Sequence, residues 1–282
     1  MMHYLKKDIV IADQYSPVKI LLAGVGGTGS HILTGLARMN QALKALGHPG
    51  LYVLAVDGDS VSEANVGRQL FSKADIGRNK ATVLVTRLNA FFGTDWMSYP
   101  YEITKEFSNG DGSPQIIITA VDSLKSRILF YRSAKNLNAD YWMDTGNTAD
   151  TGQVIFGSIN PVEQPDKPGV TPYLPNAVDL YGNNLAGVRG KDDQGPSCSM
   201  AEALNRQDLF VNQMVATCAL HILWQGFRYG YLTQHGAFIN MRSMTTRPLP
   251  VDPETWNRMG CEETRGKKKG KKKKSKYIER CF

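Results

Sequence analysis

Long apolar runs are absent from this sequence of 282 residues. No hydrophobic stretch approaches a length of about 18 residues, which a membrane-spanning helix requires. The N-terminal segment MMHYLKKDIVIADQYS carries charges within what would have to be the apolar core of a signal peptide. We therefore expect a cytoplasmic protein without a membrane partner.

Cysteine is also scarce. The four cysteines, Cys198, Cys218, Cys261 and Cys281, are widely separated, and the sequence contains no C-x-x-C pair. Structural zinc sites and dithiol redox sites are commonly built from such pairs. The sequence therefore predicts that the protein holds no zinc.

The net positive charge of the chain is confined to the C-terminus. The net charge of the chain is +7, and residues 260–282, with ten basic and three acidic side chains, carry all of it. The run GKKKGKKKKSK is too highly charged to fold alone. It is a solvated disordered end, a docking segment for an acidic partner protein, or a non-specific contact with nucleic acid. We predict a folded domain over residues 1–259 and a basic tail over residues 260–282.

The most informative segment is LLAGVGGTGS, residues 21–30. It reads as an apolar strand, a glycine turn and the start of a helix, with the G-x-G-x-x-G spacing at Gly24, Gly26 and Gly29 and an additional Gly27. Such a turn lets the backbone approach a phosphate, and the helix N-terminus faces the anion. A second strand, residues 52–56, ends on Asp57, which is placed to bind ribose hydroxyls. The pattern predicts an α/β nucleotide-binding protein.

The polar residues after Asp57 favour ATP. Asn65, Arg68 and Lys80 bring an amide and two cations to the same end of the sheet, which suits a triphosphate better than a hydride-transfer cofactor. Two structural interpretations stay open, a surface salt bridge for Arg68 and a solvated helix-face lysine for Lys80.

Asp122 follows QIIITAV, a continuous apolar run typical of a central parallel strand. A carboxylate at the carboxyl end of such a strand lies in the crevice where ligands bind, so Asp122 is a candidate ligand for Mg²⁺. Alternatively, Asp122 caps the helix that follows.

Together, GVGGTGS, DGDSVSEANVGRQ, DIGRNKA and ITAVDS resemble the adenylation domain of the ThiF, MoeB and ubiquitin-activating enzyme family over residues 18–157. The resemblance implies a Rossmann-like α/β fold with a mostly parallel central sheet, helices on both faces and a long crossover loop, here residues 160–197. It also implies ATP contacts from Gly24, Gly26, Gly27, Gly29, Asp57, Asn65, Arg68, Gln69, Lys80 and Asp122. Within the family, the chain is most similar to ThiF-like members of bacterial PRTRC gene systems.

The sequence differs from the family pattern at two positions. Ser123 stands where relatives have Asn. Relatives often carry an N-terminal arginine that reaches the nucleotide across a dimer interface, but no arginine precedes Arg38 here. Either Lys6 or Lys7 substitutes for it, or the contact is missing.

Cys198 is the candidate nucleophile. It lies in GPSCSM, and this Pro-x-Cys-Ser pattern resembles the catalytic cysteine motif of ubiquitin-activating enzymes. A thiol at the start of a helix near Met200 would have its pKa lowered by the helix N-terminus. The alternative is that Cys198 is a small packing residue.

The resemblance implies ATP- and Mg²⁺-dependent adenylation of a ubiquitin-like protein that ends in glycine, with Arg68 and Asp122 acting on the phosphates. Cys198 would then form a thioester for a conjugating enzyme or a sulfur acceptor. We expect a homodimer, because family members generally pair their adenylation domains. Two alternatives stay open: a nucleotide-binding scaffold without turnover, and an NAD-dependent oxidoreductase, which would leave Arg68, Lys80 and Asp122 without a role.

Overall fold

An eight-stranded sheet organises the computed structural model, which describes residues 1–10, 16–102, 113–182 and 207–261. Its strands are, in chain order, β2 (Val18–Ala23), β3 (Leu51–Val56), β4 (Met97–Tyr99), β5 (Ile116–Thr119), β6 (Tyr141–Asn147), β7 (Thr151–Ser158), β9 (Gln234–Asn240) and β10 (Thr245–Pro250). A separate two-stranded antiparallel sheet pairs β1 (His3–Tyr4) with β8 (Tyr231–Leu232).

The spatial order of the large sheet is β10-β9-β7-β6-β5-β2-β3-β4. The strands from β6 to β4 are parallel, whereas β7, β9 and β10 extend the sheet antiparallel. Strands β2, β3 and β5 are almost wholly buried apolar runs, as expected where helices cover both faces of a parallel sheet. The carboxyl ends of the parallel strands lie along one edge.

The helices are α1 (Lys7–Val10), α2 (Gly27–Ala45), α3 (Lys80–Phe92), α4 (Leu124–Asn136), α5 (Ala177–Tyr181), α6 (Val211–Tyr229) and α7 (Pro253–Arg258). They lie on both faces of the sheet. A Cβ atom on Gly152 would meet Val215 of α6, whereas one on Gly146 would approach Arg127 of α4. Gly152 pairs with Asn147, so the preceding Gly146 points to the opposite face. The predicted fold class is confirmed.

The predicted crossover loop lies partly in the described part of the chain. Residues 160–182 contain no strand and only the short helix α5. Residues 183–206, with Cys198, and residues 262–282, with the lysine run, lie outside the described residues. The proposed boundary between domain and tail therefore stays a prediction. None of the described helices combines the length and the apolar character needed to cross a membrane.

Candidate active site

The glycine loop joins β2 to α2 and allows no side chain at two positions. Gly24 has φ +85°, and a Cβ atom there would lie 2.5 Å from the carbonyl oxygen of Ala120. A Cβ atom on Gly29 would lie 1.9 Å from the carbonyl oxygen of Gly24. Helix α2 begins at Gly27, and its N-cap, Gly26, provides no side-chain cap. Its first N–H groups are therefore left to face an anion.

Asp57 follows β3 and holds the glycine loop directly. Its carboxylate accepts the N–H of Val25 at 2.6 Å and the N–H of Asp59 at 2.8 Å. Burial raises the pKa of the Asp57 carboxyl, and the charge of Lys80 opposes that rise. Sequence reasoning assigned this residue to the ribose alone and missed its contact with the loop.

Asn65 and Gln69 are both buried, but their side chains are used differently. The side-chain oxygen of Asn65 accepts hydrogen bonds from the N–H and hydroxyl of Ser62, which closes a 3-10 turn at Glu63–Asn65. The side-chain oxygen of Gln69 has no hydrogen-bond partner among the residues that the structure describes. The Gln69 amide lies 3.8 Å from where a Cβ atom on Gly26 would stand, so it borders the glycine loop.

Arg68 is half-buried and reaches across the chain. Its Nη1 donates to the side-chain oxygen of Gln207 at 2.9 Å, whereas its buried Nε has no partner in the described part of the chain. Burial lowers the pKa of the Arg68 guanidinium, and Asp122 opposes that shift. Among the described residues, Arg68 forms no salt bridge with a carboxylate, so the surface salt-bridge interpretation is not supported.

Lys80 is buried at the start of α3, so the interpretation as a solvated lysine is wrong. Its Nζ lies 2.8 Å from a carboxylate oxygen of Asp59, whose side chain is 70% exposed. Asp59 was not among the predicted site residues, although it stands two positions after Asp57. The sequence signal for Asp59 was its position in the segment DGD, which begins with Asp57.

Asp122 follows the end of β5 and does not cap α4. That role belongs to Ser123, whose hydroxyl accepts the N–H of Ser126 at 3.0 Å. Asp122 is open to solvent, yet the protein around it is dense enough that desolvation raises its pKa, against the attraction of Lys80 and Arg68. The charges of Lys80 and Arg68 therefore act on the Asp122 carboxyl. The assignment of these three residues to a nucleotide site stays a prediction.

An unpredicted polar network connects Arg68 to the glycine loop. Its centre is Asn212, in the first turn of α6, which donates to the side-chain oxygen of Gln207 at 2.8 Å. The side-chain oxygen of Asn212 accepts the Thr28 hydroxyl and the Asn147 amide, each at 3.0 Å. A Cβ atom on Gly27 would lie 2.7 Å from Asn212. The sequence signal for this network was an asparagine close to the apolar residues at the start of α6.

A buried ion pair lies beside this site. The guanidinium of Arg127 contacts both carboxylate oxygens of Asp144, with Nε to Oδ1 at 2.9 Å and Nη2 against Oδ2. Asp144 also accepts the hydroxyl of Thr119 at 3.0 Å. The pair fixes the middle of β6 relative to α4, the helix that follows Asp122.

The donor set fits a magnesium ion held mainly by its nucleotide. Within the described ranges, no three His, Cys, Asp or Glu residues cluster to form a metal site. Mg²⁺ is commonly bound by one or two carboxylates together with phosphates and water, which Asp122 and a triphosphate would provide. The predictions of magnesium and of no zinc stay predictions. Burial raises the pKa of the Cys218 and Cys261 thiols, which makes both poor nucleophiles.

Lys6 lies at the opposite edge of the sheet from these residues. Its Nζ donates to Asp140 at 3.0 Å, just before the amino end of β6. Lys7 is exposed in α1. Neither lysine is therefore placed at the nucleotide site of its own chain, and a contact across a dimer stays untested.

Comparison with known proteins agrees with the fold. The sequence model of the ThiF family matches residues 12–262. Escherichia coli MccB with ATP has a TM-score of 0.57 and 16% identity, over 86% of this chain and 66% of that chain. PaaA has a TM-score of 0.54 and 13% identity, over 84% and 65%. The chain thus spans about two thirds of each solved relative. No curated protein sequence matches significantly.

Proposed function

Because the chain belongs to the ThiF family, we propose that it catalyses the ATP-dependent adenylation of the C-terminal carboxylate of a ubiquitin-like protein that ends in glycine. One observation carries the proposal. Asp122 lies just beyond the carboxyl end of β5, and the charges of Arg68 and Lys80, which come from two other segments, act on its carboxyl. A nucleotide site at such an edge is the general rule for open α/β sheets.

Each group has a task in this reaction. The N–H groups of the glycine loop and the first turn of α2 bind phosphate oxygens, while Asp57 binds the ribose. The Arg68 guanidinium and the Lys80 ammonium stabilise the negative charge that develops on the triphosphate. The unpartnered Nε of Arg68 and side-chain oxygen of Gln69 are polar atoms that a bound nucleotide and its water shell would satisfy.

The chemistry is a displacement at the α-phosphorus. A carboxylate oxygen of the substrate forms a bond to the α-phosphorus, the bond to the oxygen that bridges to the β-phosphate breaks, and pyrophosphate leaves. Magnesium, held by Asp122 and the phosphates, would neutralise charge on the departing pyrophosphate. Asn65 supports this site through its turn, which places Arg68 and Gln69.

A second step would involve Cys198. Its thiolate attacks the acyl carbon of the adenylate, the bond from that carbon to the AMP oxygen breaks, and AMP leaves as the thioester forms. The thioester then serves a conjugating enzyme or a sulfur acceptor. The raised thiol pKa values of Cys218 and Cys261 leave Cys198 as the better candidate over those two.

The test is ATP-pyrophosphate exchange with ubiquitin-like proteins encoded near this gene. Exchange should fall at least about 100-fold in Asp122→Ala, because a charge-stabilising group is lost, and persist in Cys198→Ala, which acts later. Asp95→Ala, an exposed carboxylate just before β4, is the matched control and should leave exchange unchanged. Nucleotide binding without exchange would favour the scaffold, and NAD reduction without pyrophosphate would favour the oxidoreductase.

We propose the remaining features on the family resemblance. The protein would act as a cytoplasmic homodimer within a PRTRC system, with residues 260–282 as a basic tail that binds an acidic protein or nucleic acid. Sedimentation of the purified chain as a monomer at micromolar concentration would rule out the homodimer.

A further inference from the structure

An open cavity of about 550 Å³ lies on the antiparallel side of the sheet. It is lined by residues of β6, β7, β9 and β10 and their turns, including Gly146, Asn147, Gln153, Phe238, Asn240 and Arg247. Among the residues that the structure describes, its lining includes one cation and no carboxylate. We propose that this cavity binds the chain segment that precedes the activated carboxylate, and that it selects an acidic side chain there. The inference rests on the proposed adenylation.

The lining residues show the direction in which the cavity extends across the sheet. Gly146 pairs with Gln153, Gln153 with Phe238, and Phe238 with Arg247, so the four residues form one row across four strands. Such a row spans about 14 Å, the length of about four extended residues. One end, Gly146, lies against Arg127 on α4, the helix that follows Asp122. The row therefore leads away from the adenylation site over the length of a short peptide.

The cavity also borders a buried hydrogen-bond donor, the side-chain amide of Gln153. Gln153 is 6% exposed, and its side-chain oxygen accepts the hydroxyl of Tyr181 at 2.9 Å. Its Nε2 has no hydrogen-bond partner in the described ranges of the chain, and the residue lines the cavity. A buried amide donor without a partner is costly, and a peptide carbonyl or carboxylate in the cavity would satisfy it.

The charge of Arg247 favours an acidic side chain in the cavity. Arg247 is exposed at the far end of the row and has no carboxylate partner in the part of the chain that the structure describes. By contrast, Arg242 on the same hairpin pairs with Asp150 at 2.9 Å. A guanidinium beside amides and hydroxyls, with an apolar wall at Phe238, suits an acidic side chain followed by extended backbone.

The experiment uses the full chain and two fluorescein-labelled heptapeptides, Ala-Glu-Ala-Glu-Ala-Gly-Gly and its counterpart with lysine in place of glutamate. Binding is measured by fluorescence anisotropy at 150 mM salt without ATP. The acidic peptide should bind at least about ten-fold more tightly, which corresponds to one charge-assisted hydrogen bond. Arg247→Glu should reverse the preference, and Gln153→Glu, which replaces the free donor by an acceptor, should weaken acidic-peptide binding about ten-fold.

Arg228→Glu is the matched control, because this exposed arginine lies in the last turn of α6 and carries the same charge change. It should leave both affinities unchanged. Equal affinity for the two peptides would overturn the proposal. So would an acidic preference that survives Arg247→Glu, since a cation outside this cavity would then select the acidic peptide.

The two proposals fail in different ways. Pyrophosphate exchange with a ubiquitin-like protein, together with no Arg247-dependent preference, would retain the adenylation and remove the peptide site. An Arg247-dependent preference without exchange for any candidate would retain an acidic-peptide site and remove the adenylation on which its role rests.

Discussion

At the scale of single residues, the site depends on polar groups that hold one another. Asp57 accepts two backbone N–H groups, Asp59 pairs with Lys80, and Gln207 joins Arg68 to Asn212. Each bond fixes a side chain or loop that the reaction requires, because charge stabilisation depends on groups held in place before the substrate reacts. Asn212 is the most connected of these residues and touches no predicted reacting atom, which makes it a positioning residue.

Asn212→Ala should lower the free energy of unfolding by about 2 kcal/mol, because it leaves Thr28, Asn147 and Gln207 without their partner. It should also raise KM for ATP, since Arg68 and the first turn of α2 lose their support. Unfolding by urea and pyrophosphate exchange at varied ATP measure the two effects.

Asn89→Ala is the control that separates a positioning role of Asn212 from a general loss of stability. The Asn89 side chain also forms three hydrogen bonds, to Thr94 and to the backbone N–H and carbonyl of Trp96, but it lies away from the site. It should lose similar stability at unchanged KM. An unchanged KM in Asn212→Ala would contradict the positioning role. Asn212→Asp keeps the acceptor for Thr28 and Asn147 but loses the donor to Gln207, so recovery of KM in this variant would assign the effect to the first turn of α2.

At the scale of elements, the carboxyl ends of β2, β3 and β5 deliver the glycine loop, Asp57 and Asp122 to one edge, and α6 closes the site from one face. The start of α2 is the most restricted part of this arrangement. Gly24 and Gly29 are excluded from carrying a side chain by neighbouring backbone, whereas Gly26 is not. Glycine at position 26 therefore keeps space open in front of the helix N-terminus.

Gly26→Ala should fold with nearly unchanged stability but bind ATP at least about ten-fold more weakly, because the methyl group would occupy phosphate space. Its Cβ atom would come no closer than 3.8 Å to any neighbour, the Gln69 amide being the nearest. Calorimetric ATP titration and thermal unfolding measure the two quantities.

Gly93→Ala, at the C-cap of α3, is the control for this substitution. Its added Cβ also meets no neighbour, but its φ of +65° makes alanine strained. It should lose about 1 kcal/mol of stability and retain ATP binding. Normal ATP affinity in Gly26→Ala would argue against a phosphate at this helix N-terminus.

At the scale of the whole molecule, two buried histidines tie distant segments together. His3 donates to the carbonyl of Thr171 and meets the Tyr141 hydroxyl, whereas His235 donates to the carbonyl of Phe156 and accepts from Trp256. Burial lowers the pKa of both imidazoles to about 4. Protonation of His235 would also remove the acceptor that Trp256 requires.

The free energy of unfolding should therefore decrease as the pH is lowered through a defined range. The folded-state pKa of His235 lies below its unfolded value of 6.5, so its contribution is complete above pH 6.5 and is lost as the pH falls towards 4. Between pH 7 and pH 5 each histidine should cost about 2 kcal/mol. The raised carboxyl pKa values of Asp57, Asp122 and Asp140 act in the opposite direction.

The comparison of wild type with His235→Gln isolates this term from the carboxylates. Urea unfolding at both pH values should give a decrease that is about 2 kcal/mol smaller in the variant. The same decrease in both proteins would show that the pKa of His235 does not differ between the folded and unfolded states.

Local sequence determined the parts of this protein that depend on neighbouring residues. Apolar runs with no polar interruption specify buried parallel strands, glycine spacing specifies the turn, and a polar residue directly after a strand must emerge at its carboxyl end. For that reason the fold class and the sheet edge that carries Asp57, Arg68, Lys80 and Asp122 were predictable.

Only the tertiary structure decided which side chains meet. The hydrogen bond from Thr28 to Asn212 joins residues 184 positions apart, and that from Arg68 to Gln207 joins residues 139 apart. The row from Gly146 to Arg247 likewise exists only because β7 and β9 pair in one register. Such contacts depend on how helices and strands pack, and the periodicity of a single segment contains no information about the partner that packing will bring to it.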